Sequence, residues 1–399
     1  MILSSKKLGL IYALLVLLFP FVYKVLGWYD EFIVVLSAII FLFKKNKSIH
    51  KLDAKIILLV LVLGLIGALS NINSGLTNNL KSCISDYFAL YKTFLILVFT
   101  REIFDDISAD RFVRFLLPIC KLYIYICAIT GIFSQFIDIG MATGERRYGI
   151  RPFGFVFYNN VFPTTILISY MVVYFSQMKY RSKQYLFYLV ALCLILHTKG
   201  TFLIFLVFML YYMFFLKNRD FKTKYIIYLL PILLYVFSYQ VETYISNVNS
   251  VRMVLIINGL RTAFDYFPFG SGFSTYGTNE AALNYSPLYY KYGFDKMWGM
   301  GPDDNMFLND GYIAGILGEE GLIGTLFFLL LVITTCRIVF SYKSCNLSYR
   351  AVVIGVFLCL LVSMTATGIF KSVSGVFMML TIGILFNNNR NSKKYESYR

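Results

Sequence analysis

The sequence predicts an all-α protein embedded in a membrane through about twelve transmembrane helices. Hydrophobic residues make up 58% of the 399 residues and the mean hydropathy is +0.69, whereas soluble domains are about 45–50% apolar. Apolar stretches long enough to cross the hydrocarbon core of a bilayer recur along the chain. No soluble domain of ordinary size interrupts them, so we expect one multi-pass membrane domain over residues 1–399.

Windows of apolar residues locate the predicted spans. They lie near residues 8–27, 31–43, 55–70, 82–100, 113–137, 155–178, 184–198, 200–216, 224–241, 311–336, 350–365 and 368–386. The first of them follows Lys6 and Lys7 and shows no small-residue cleavage pattern, so we expect a retained span and not a removed signal peptide.

Lysine and arginine fall on alternate connections between these spans. They concentrate in the connections 44–55, 179–183 and 217–224, after the tenth span, and in the tail from 390 to 394. Because positive charge marks the cytoplasmic side of a membrane protein, both termini are predicted to be cytoplasmic. The net charge of +16 is therefore explained as an orientation signal, and it does not indicate a nucleic-acid partner.

The connection from residue 242 to residue 310 is then outside, and it is by far the longest polar segment. Long loops in a chain of otherwise short connections usually carry function. The apolar pattern over residues 250–268 predicts an amphipathic helix that lies on the outer face. We therefore expect this loop to contain short helices and the active site.

Arginines at the predicted outer face indicate an anionic ligand. Arg252 and Arg261 lie in the long loop, and Arg147 and Arg151 lie in the connection 138–154, where the positive-inside rule disfavours them. A guanidinium binds phosphate in bidentate fashion, although it can also snorkel to lipid headgroups. At about 100° per residue, Arg252 and Arg261 lie on opposite sides of one helix. Both can bind one pyrophosphate only if the helix breaks or one arginine sits at its end.

Gly270 and Gly272 form a turn that permits positive φ and close approach of the backbone. Exposed N–H groups of such a turn can face an anion or a sugar hydroxyl. Any tight turn after a helix has a similar sequence, however.

Asp303, Asp304 and Asn305 precede the apolar pattern of the tenth predicted span. Aspartate is a preferred N-cap residue, which is one interpretation of this position. A carboxylate that faces a membrane-bound donor can also deprotonate an attacking hydroxyl as a general base. Both interpretations stay open at this point.

Three further polar positions lie at or within the spans. Lys199 lies in a short turn at the outer face, where it adds positive charge, and its neighbour His197 is expected to be structural or lipid-facing. Asp86 and Lys92 share one apolar run but are six positions apart, so we expect each to pair with a different helix.

Several common motifs are absent from the sequence. It has no phosphate-binding loop, no His-Glu-x-x-His and no Asp-x-Asp. The seven cysteines show no metal-ligand spacing. We therefore expect no metal and no cofactor, which disfavours a metal-dependent nucleotide-sugar transferase.

Taken in order, these motifs resemble the bacterial O-antigen polymerase and O-antigen ligase superfamily of membrane glycosyltransferases. Arg252 is similar to the arginine of its Gly/Ser-x-Arg helix start, and Arg261 and Gly272, with ten residues between them, resemble its Arg-x10-Gly motif. The segments Asp304-Asn-Met-Phe-Leu308, Glu319-Glu-Gly-Leu-Ile-Gly324 and Thr198-Lys-Gly200 resemble its remaining blocks. Ligases of the superfamily carry a histidine at the position of Asp304, so the chain resembles a polymerase more closely.

The resemblance implies a reaction at the periplasmic face of the bacterial inner membrane. A growing glycan would move from undecaprenyl pyrophosphate to a new repeat unit on the same lipid, with inversion and without a metal. Membrane lipids, a flippase and a chain-length regulator are the implied partners. The alternatives are a ligase that transfers the glycan to lipid A core and a lipid-linked oligosaccharide flippase, which would show two related halves.

The resemblance also implies roles for ten residues. Arginines would hold the donor pyrophosphate or the acceptor phosphates, and an aspartate would orient or deprotonate the acceptor hydroxyl. The candidate catalytic residues are Arg252, Arg261, Asp303 and Asp304, and the candidate substrate-binding residues are Arg147, Arg151, Lys199, Gly270, Gly272 and Asn305.

Overall fold

The computed structural model describes residues 4–44, 49–77, 79–142, 146, 149–157, 160–177, 185–213, 250–341 and 347–387. Within these ranges the regular structure is helical, and the β pairing is one isolated bridge between Ala142 and Phe153. The predicted all-α class is therefore confirmed.

Among the described residues, five helices have the length and apolar composition needed to cross a bilayer. They are α1 (Ser5–Val22), α3 (Lys51–Ser74), α4 (Leu80–Ile103), α5 (Asp106–Phe136) and the helix Tyr312–Ser341, which is α12 in chain order. Each coincides with a predicted span. These helices indicate a membrane-embedded protein.

The other predicted spans that the structure describes correspond to further helices. They are α2 (Tyr29–Leu42), α6 (Val161–Gln177), α7 (Tyr185–His197), α8 (Gly200–Tyr211), α13 (Leu347–Ala366) and α14 (Val373–Leu385). The predicted span 224–241 lies outside the described residues. The number twelve thus remains a prediction, while the helical membrane character does not depend on it.

The long loop contains short helices, as expected. They are α9 (Val251–Asp265), α10 (Asn279–Leu283), α11 (Pro287–Lys291) and a 3-10 turn at Phe294–Lys296. The loop has its own apolar cluster, in which Tyr276, Tyr289 and Phe294 are fully buried. Its helix α9 packs against α12, so the loop is a folded cap on the helical bundle. Residues 242–249, where the loop was predicted to begin, are not among those described.

Helix α4 lies at the centre of the bundle. Of the most apolar part of α4, 56% is buried, compared with 33–39% in the other four long helices. It contacts α2, α3 and α14 and also reaches α10 of the cap. A helix surrounded by protein can carry ionisable side chains, because neighbouring helices supply partners that lipid cannot.

The ion pairs of α4 show this directly. Lys92 Nζ lies 2.6 Å from an oxygen of Asp30 and also pairs with Glu31, both on α2. Near the other end of α4, Arg101 lies 3.3 Å from Asp53 of α3. The expectation that Lys92 pairs with another helix is confirmed.

Replacement of Lys92 by alanine is expected to destabilise the protein by about 3–5 kcal/mol, since it leaves two carboxylates without their buried cation. Thermal unfolding in detergent measures the effect. Lys81→Ala is the matched control, because Lys81 is an exposed lysine on the same helix. Equal shifts in Tm for the two variants would contradict the role of the Lys92 pair.

Candidate functional site

A break in α12 organises the region around the cap. Gly321 has φ 64° and ψ −162°, a backbone conformation that is not helical and that is essentially restricted to glycine. Gly270 of the cap lies directly against it. A Cβ atom on Gly270 would come within 2.3 Å of the Gly321 nitrogen, and one on Gly321 within 2.4 Å of the Gly270 nitrogen. Both positions therefore require glycine.

The turn from Pro268 to Gly272 fills this break and binds the carbonyl groups that the broken helix leaves open. Ser271 N–H donates to Gly318 O over 2.9 Å, and Gly272 N–H donates to Glu319 O over 2.8 Å. Gly270 N–H donates to Tyr266 O over 3.0 Å. Sequence reasoning predicted that the turn presents its N–H groups to a ligand. In the structure, the N–H groups of both glycines are used within the protein.

Helix α3 holds the opposite side of the same turn. Asn71 makes two reciprocal hydrogen bonds of 2.9 Å with the backbone of Phe273, one donated by its amide nitrogen and one accepted by its amide oxygen. Ser74 donates to Ser271 O over 2.6 Å. The turn is thus clamped between α3 and α12, which fixes the cap on the bundle.

Two buried carboxyl groups, Asp86 of α4 and Glu319 of α12, also attach the cap to the bundle. Glu319 accepts the backbone N–H groups of Thr275 and Tyr276 over 2.9 and 3.0 Å, and Asp86 accepts that of Ser274 over 2.6 Å. The hydroxyl of Thr278 lies 3.0 Å from Asp86 and 3.1 Å from Glu319. Asp86 was expected to pair with another helix, and its hydrogen bonds to Ser274 and Thr278 are with the segment of the cap between α9 and α10. Sequence reasoning placed Glu319 in a motif but not in the site.

A cluster of basic residues meets at Asp310, just before α12 begins. The Arg252 guanidinium lies 3.7 Å from the Asp310 carboxylate. Lys371, from the connection between α13 and α14, donates to Asn309 O over 3.1 Å and to Gly277 O over 3.0 Å. The cluster thereby joins the cap to the far end of the chain.

Lys199, from the turn between α7 and α8, completes this basic cluster. Its ammonium donates to the Asn160 side chain over 3.0 Å. It also lies close enough to interact electrostatically with Asp310, as Lys371 does. Arg252, Lys199 and Lys371 thus come from three separate elements, and the positive charge of each acts on Asp310, with which Arg252 forms the ion pair.

The titration of the cluster reflects burial and these charges. Burial raises the pKa of Asp310, and the positive charges of Arg252, Lys371 and Lys199 oppose that rise. Burial lowers the pKa of Lys371, and the carboxylates of Asp86, Glu319 and Asp310 oppose the decrease. Three cations around one half-buried carboxylate form a place where a further anion is electrostatically favoured.

Arg261 lies apart from this cluster. Helix α9 runs unbroken from Val251 to Asp265, so the backbone positions of Arg252 and Arg261 are about 13 Å apart along its axis. Arg252 is the second residue of the helix, which meets the condition that one arginine sits at a helix end. The Arg261 guanidinium is exposed and lies 5.5 Å from the centre of the Tyr292 ring. The two arginines therefore have different partners.

The predicted acidic motif lies in the turns that precede α12. Asp303 is exposed and Asp304 is half-buried. Because α12 begins at Tyr312, eight residues after Asp304, the N-cap interpretation is wrong. Asn305 donates to Ala282 O over 3.2 Å and so ties this segment to α10.

The connection 138–154 is described only in part, and Arg147 lies outside the described residues. Arg151 sits at the C-terminal end of α5, where Gln135 makes two hydrogen bonds of 2.9 Å with its backbone. Its guanidinium donates to Ser134 O over 3.3 Å and lies 3.8 Å from Asp138. The preference of positive charge for the helix C-terminus contributes to this placement.

His197 is buried, whereas the aromatic residues of the cap are in part buried and in part exposed. The Nδ1 atom of His197 lies 2.9 Å from Phe153 O, which confirms a structural role. Tyr276 and Tyr289 are fully buried and pack the cap. Trp298 and Tyr290 are 78% and 57% exposed, so these two rings are accessible to a sugar.

Sequence reasoning missed Lys371 and did not single out Asp310. A signal for Lys371 was present, because it is an ionisable residue inside the predicted span 368–386, and such residues mark functional sites by default. Asp310 carries no comparable signal, since it is one of several acidic residues in the loop. Its partners come from distant parts of the chain.

No protein-family model, curated protein or solved structure matches this chain. The resemblance to the O-antigen polymerase and ligase superfamily therefore remains a prediction from the motifs.

Replacement of Gly321 by alanine is expected to destabilise the protein by about 1–3 kcal/mol, since the backbone conformation there is essentially restricted to glycine. The added methyl group would also push the 268–272 turn out of the break. Thermal unfolding and proteolysis of the cap measure both effects. Gly27→Ala is the control, because a Cβ there meets no atom within 4 Å. A cap as protease-resistant as that of the Gly27 variant would show that the turn does not depend on the break at Gly321.

Proposed function

We propose that this protein polymerises oligosaccharide repeat units carried by undecaprenyl pyrophosphate, as an O-antigen or capsular repeat-unit polymerase. The observation that supports the proposal is that Arg252 of the cap pairs with Asp310 and that the charges of Lys199 and Lys371 act on the same carboxylate. A lipid-linked diphosphate is an anion of the size and charge that such a cluster can bind.

The chemistry of the reaction suits this cluster. The acceptor hydroxyl attacks the anomeric carbon of the donor sugar, the bond to the diphosphate oxygen breaks, and the electron pair leaves with the diphosphate. The leaving group needs charge stabilisation and not protonation. Arg252 supplies a planar, bidentate donor, and the two lysines supply compact charges. These side chains are able to stabilise the departing diphosphate without a metal.

The proton of the acceptor hydroxyl passes to a carboxylate. The family resemblance assigns this role to Asp304 or Asp303. Asp310 is a third candidate, because burial raises its pKa and thereby makes it a stronger base than an exposed aspartate. With a single displacement, the anomeric configuration inverts.

The cap provides the surface on which glycans bind in this proposal. The exposed rings of Trp298 and Tyr290 are the candidates for stacking on sugars. Gly270 and Gly272 act indirectly, since they fix the cap to α12 and so position Arg252. We further propose that the cap faces the periplasm of a bacterial inner membrane, that both termini are cytoplasmic, and that a flippase and a chain-length regulator act with the protein.

Deletion of the gene is expected to abolish long polysaccharide chains while single repeat units persist. In a strain that makes lipopolysaccharide, gel electrophoresis should show loss of the ladder with one repeat retained on the core. In a capsulated strain, mass spectrometry should find single repeats on undecaprenyl pyrophosphate. Complementation with the intact gene is the control.

The same experiment separates the alternatives. A core that carries no O-antigen at all would indicate a ligase or a flippase and would contradict polymerisation. Purified protein in liposomes then distinguishes chemistry from transport, since a polymerase releases undecaprenyl pyrophosphate from lipid-linked repeats and a flippase does not.

Substitution of the two loop arginines by lysine is expected to have unequal effects. Arg252→Lys should reduce polymer formation in liposomes about 10-fold to 100-fold, the equivalent of one charge-assisted hydrogen bond, because lysine keeps the charge but loses the bidentate geometry. Arg261→Lys should reduce it less, since the Arg261 side chain is exposed and contacts Tyr292.

Arg114→Lys is the matched control for this comparison. Arg114 is exposed on α5 and pairs with Asp110 one turn away. Near-normal polymer from Arg252→Lys would argue against a specific diphosphate contact at that residue. A loss confined to Arg261→Lys would move the donor site to the other end of α9.

A further inference from the structure

An apolar cavity of about 170 Å³ lies between α1, α5 and α6. Its wall is formed mainly by aliphatic and aromatic side chains. They include Val16, Phe19, Leu116, Phe155, Phe157 and Ile168. Phe21, at the rim, is 60% exposed, so the cavity opens at the surface of the bundle that the surrounding lipid covers.

The few polar atoms in the wall have partners in the wall itself. The Tyr123 and Thr165 hydroxyls lie 2.7 Å apart, and Thr165 also donates to Phe162 O. Ser169 forms a hydrogen bond with Cys120. A water molecule would find no unpaired polar group among these side chains. An apolar cavity of about 150 Å³ stays dry and binds one benzene molecule, so this one suits a hydrocarbon group of similar size.

Phe155, in the wall of the cavity, has an unusual backbone conformation. Its φ is 55°, a conformation that bulky residues rarely adopt. Strain of this kind persists where the surrounding structure enforces it, and it concentrates at ligand sites. The ring lies 5.9 Å from those of both Tyr123 and Phe157 and forms part of the cavity wall.

The cavity lies on the same side of the bundle as Arg151. Ser5, at the start of α1, donates to Asp105 at the start of α5, so these two helices run in the same direction. The cavity lies at the last turns of α1, and Arg151 is bound at the end of α5. Phe155 follows Arg151 closely in the chain, which limits the distance between their Cα atoms to about 14 Å. The Arg151 side chain is 22% exposed.

We propose that this cavity binds an isoprene unit of a polyprenyl phosphate whose phosphate group contacts Arg151. The cavity has room for one branched five-carbon group and not for the two chains of a glycerophospholipid. The choice of a polyprenyl chain rests on the proposed function. Arg151 pairs with Asp138 and not with Asp310, and we assign this site to the second lipid-linked substrate, the acceptor.

Photolabelling of the purified full-length protein in nanodiscs tests this proposal without any glycan. The probe is farnesyl phosphate with a diazirine on its second isoprene unit. Label is expected on the peptides that contain residues 116–123 and 155–157. Excess undecaprenyl phosphate should remove it, whereas excess phosphatidylglycerol should not.

Variants make the test specific. Ile168→Trp fills the cavity, Phe155→Gly removes the ring at a backbone position that suits glycine, and Arg151→Gln removes the charge. Each should lower labelling about tenfold. Phe133→Ala is the control, because Phe133 is a lipid-facing phenylalanine on the same helix α5. Thermal unfolding verifies that each variant is folded. If Ile168→Trp does not fold, the comparison relies on Phe155→Gly.

The outcomes are distinguishable from those of the proposed function. Label that persists in Phe155→Gly, that maps elsewhere, or that phosphatidylglycerol removes equally well would overturn the cavity site. Specific labelling by a protein that fails to polymerise repeats would uphold the cavity and overturn the proposed function alone.

Discussion

The contact between Gly270 and Gly321 is the constraint on which the rest of this structure depends. An α-helix interrupted within a membrane protein exposes carbonyl groups that lipid cannot satisfy. Here the turn 268–272 supplies the missing donors, at a distance that no other residue type allows on either side. The broken helix and the cap therefore stabilise each other. The orientation of α9, and with it the position of Arg252, follows from this contact.

The membrane also explains where the charges of this protein are. Every buried ionisable group in a bundle must find a partner, so α4 can carry Lys92 and Arg101 only because α2 and α3 present carboxylates to them. Asp86 lies on the same helix, but its hydrogen bonds to Ser274 and Thr278 are with the cap. One central helix thus stabilises the bundle and anchors the loop. The basic cluster at Asp310 lies beside the cap, since Lys371 donates to Gly277 O and Asn309 O.

Some features of the candidate site were predictable from the sequence and others were not, for physical reasons. The pairing of Lys92 followed from the cost of a charge in hydrocarbon, which is independent of topology. The position of Arg252 at a helix start followed from local sequence, and so did the short helices of the cap. The role of Gly270 and Gly272 did not, because a glycine turn has the same sequence whether it binds a ligand or a broken helix. The N-cap interpretation of Asp304, which stood beside a catalytic one, failed because turns separate Asp304 from the helix start at Tyr312, and the sequence pattern did not reveal them.

The sequence by itself determined the helical membrane class, since the bilayer leaves few structures open to a chain of this hydropathy. It also indicated which residues need a partner, because an ionisable side chain within an apolar run is costly unless another group pairs with it. Only the tertiary structure decided which of them meet. Lys199, Arg252, Asp310 and Lys371 lie far apart in the chain, and their convergence depends on the packing of four separate elements. No local pattern records such packing, because each contact is specified jointly by both partners.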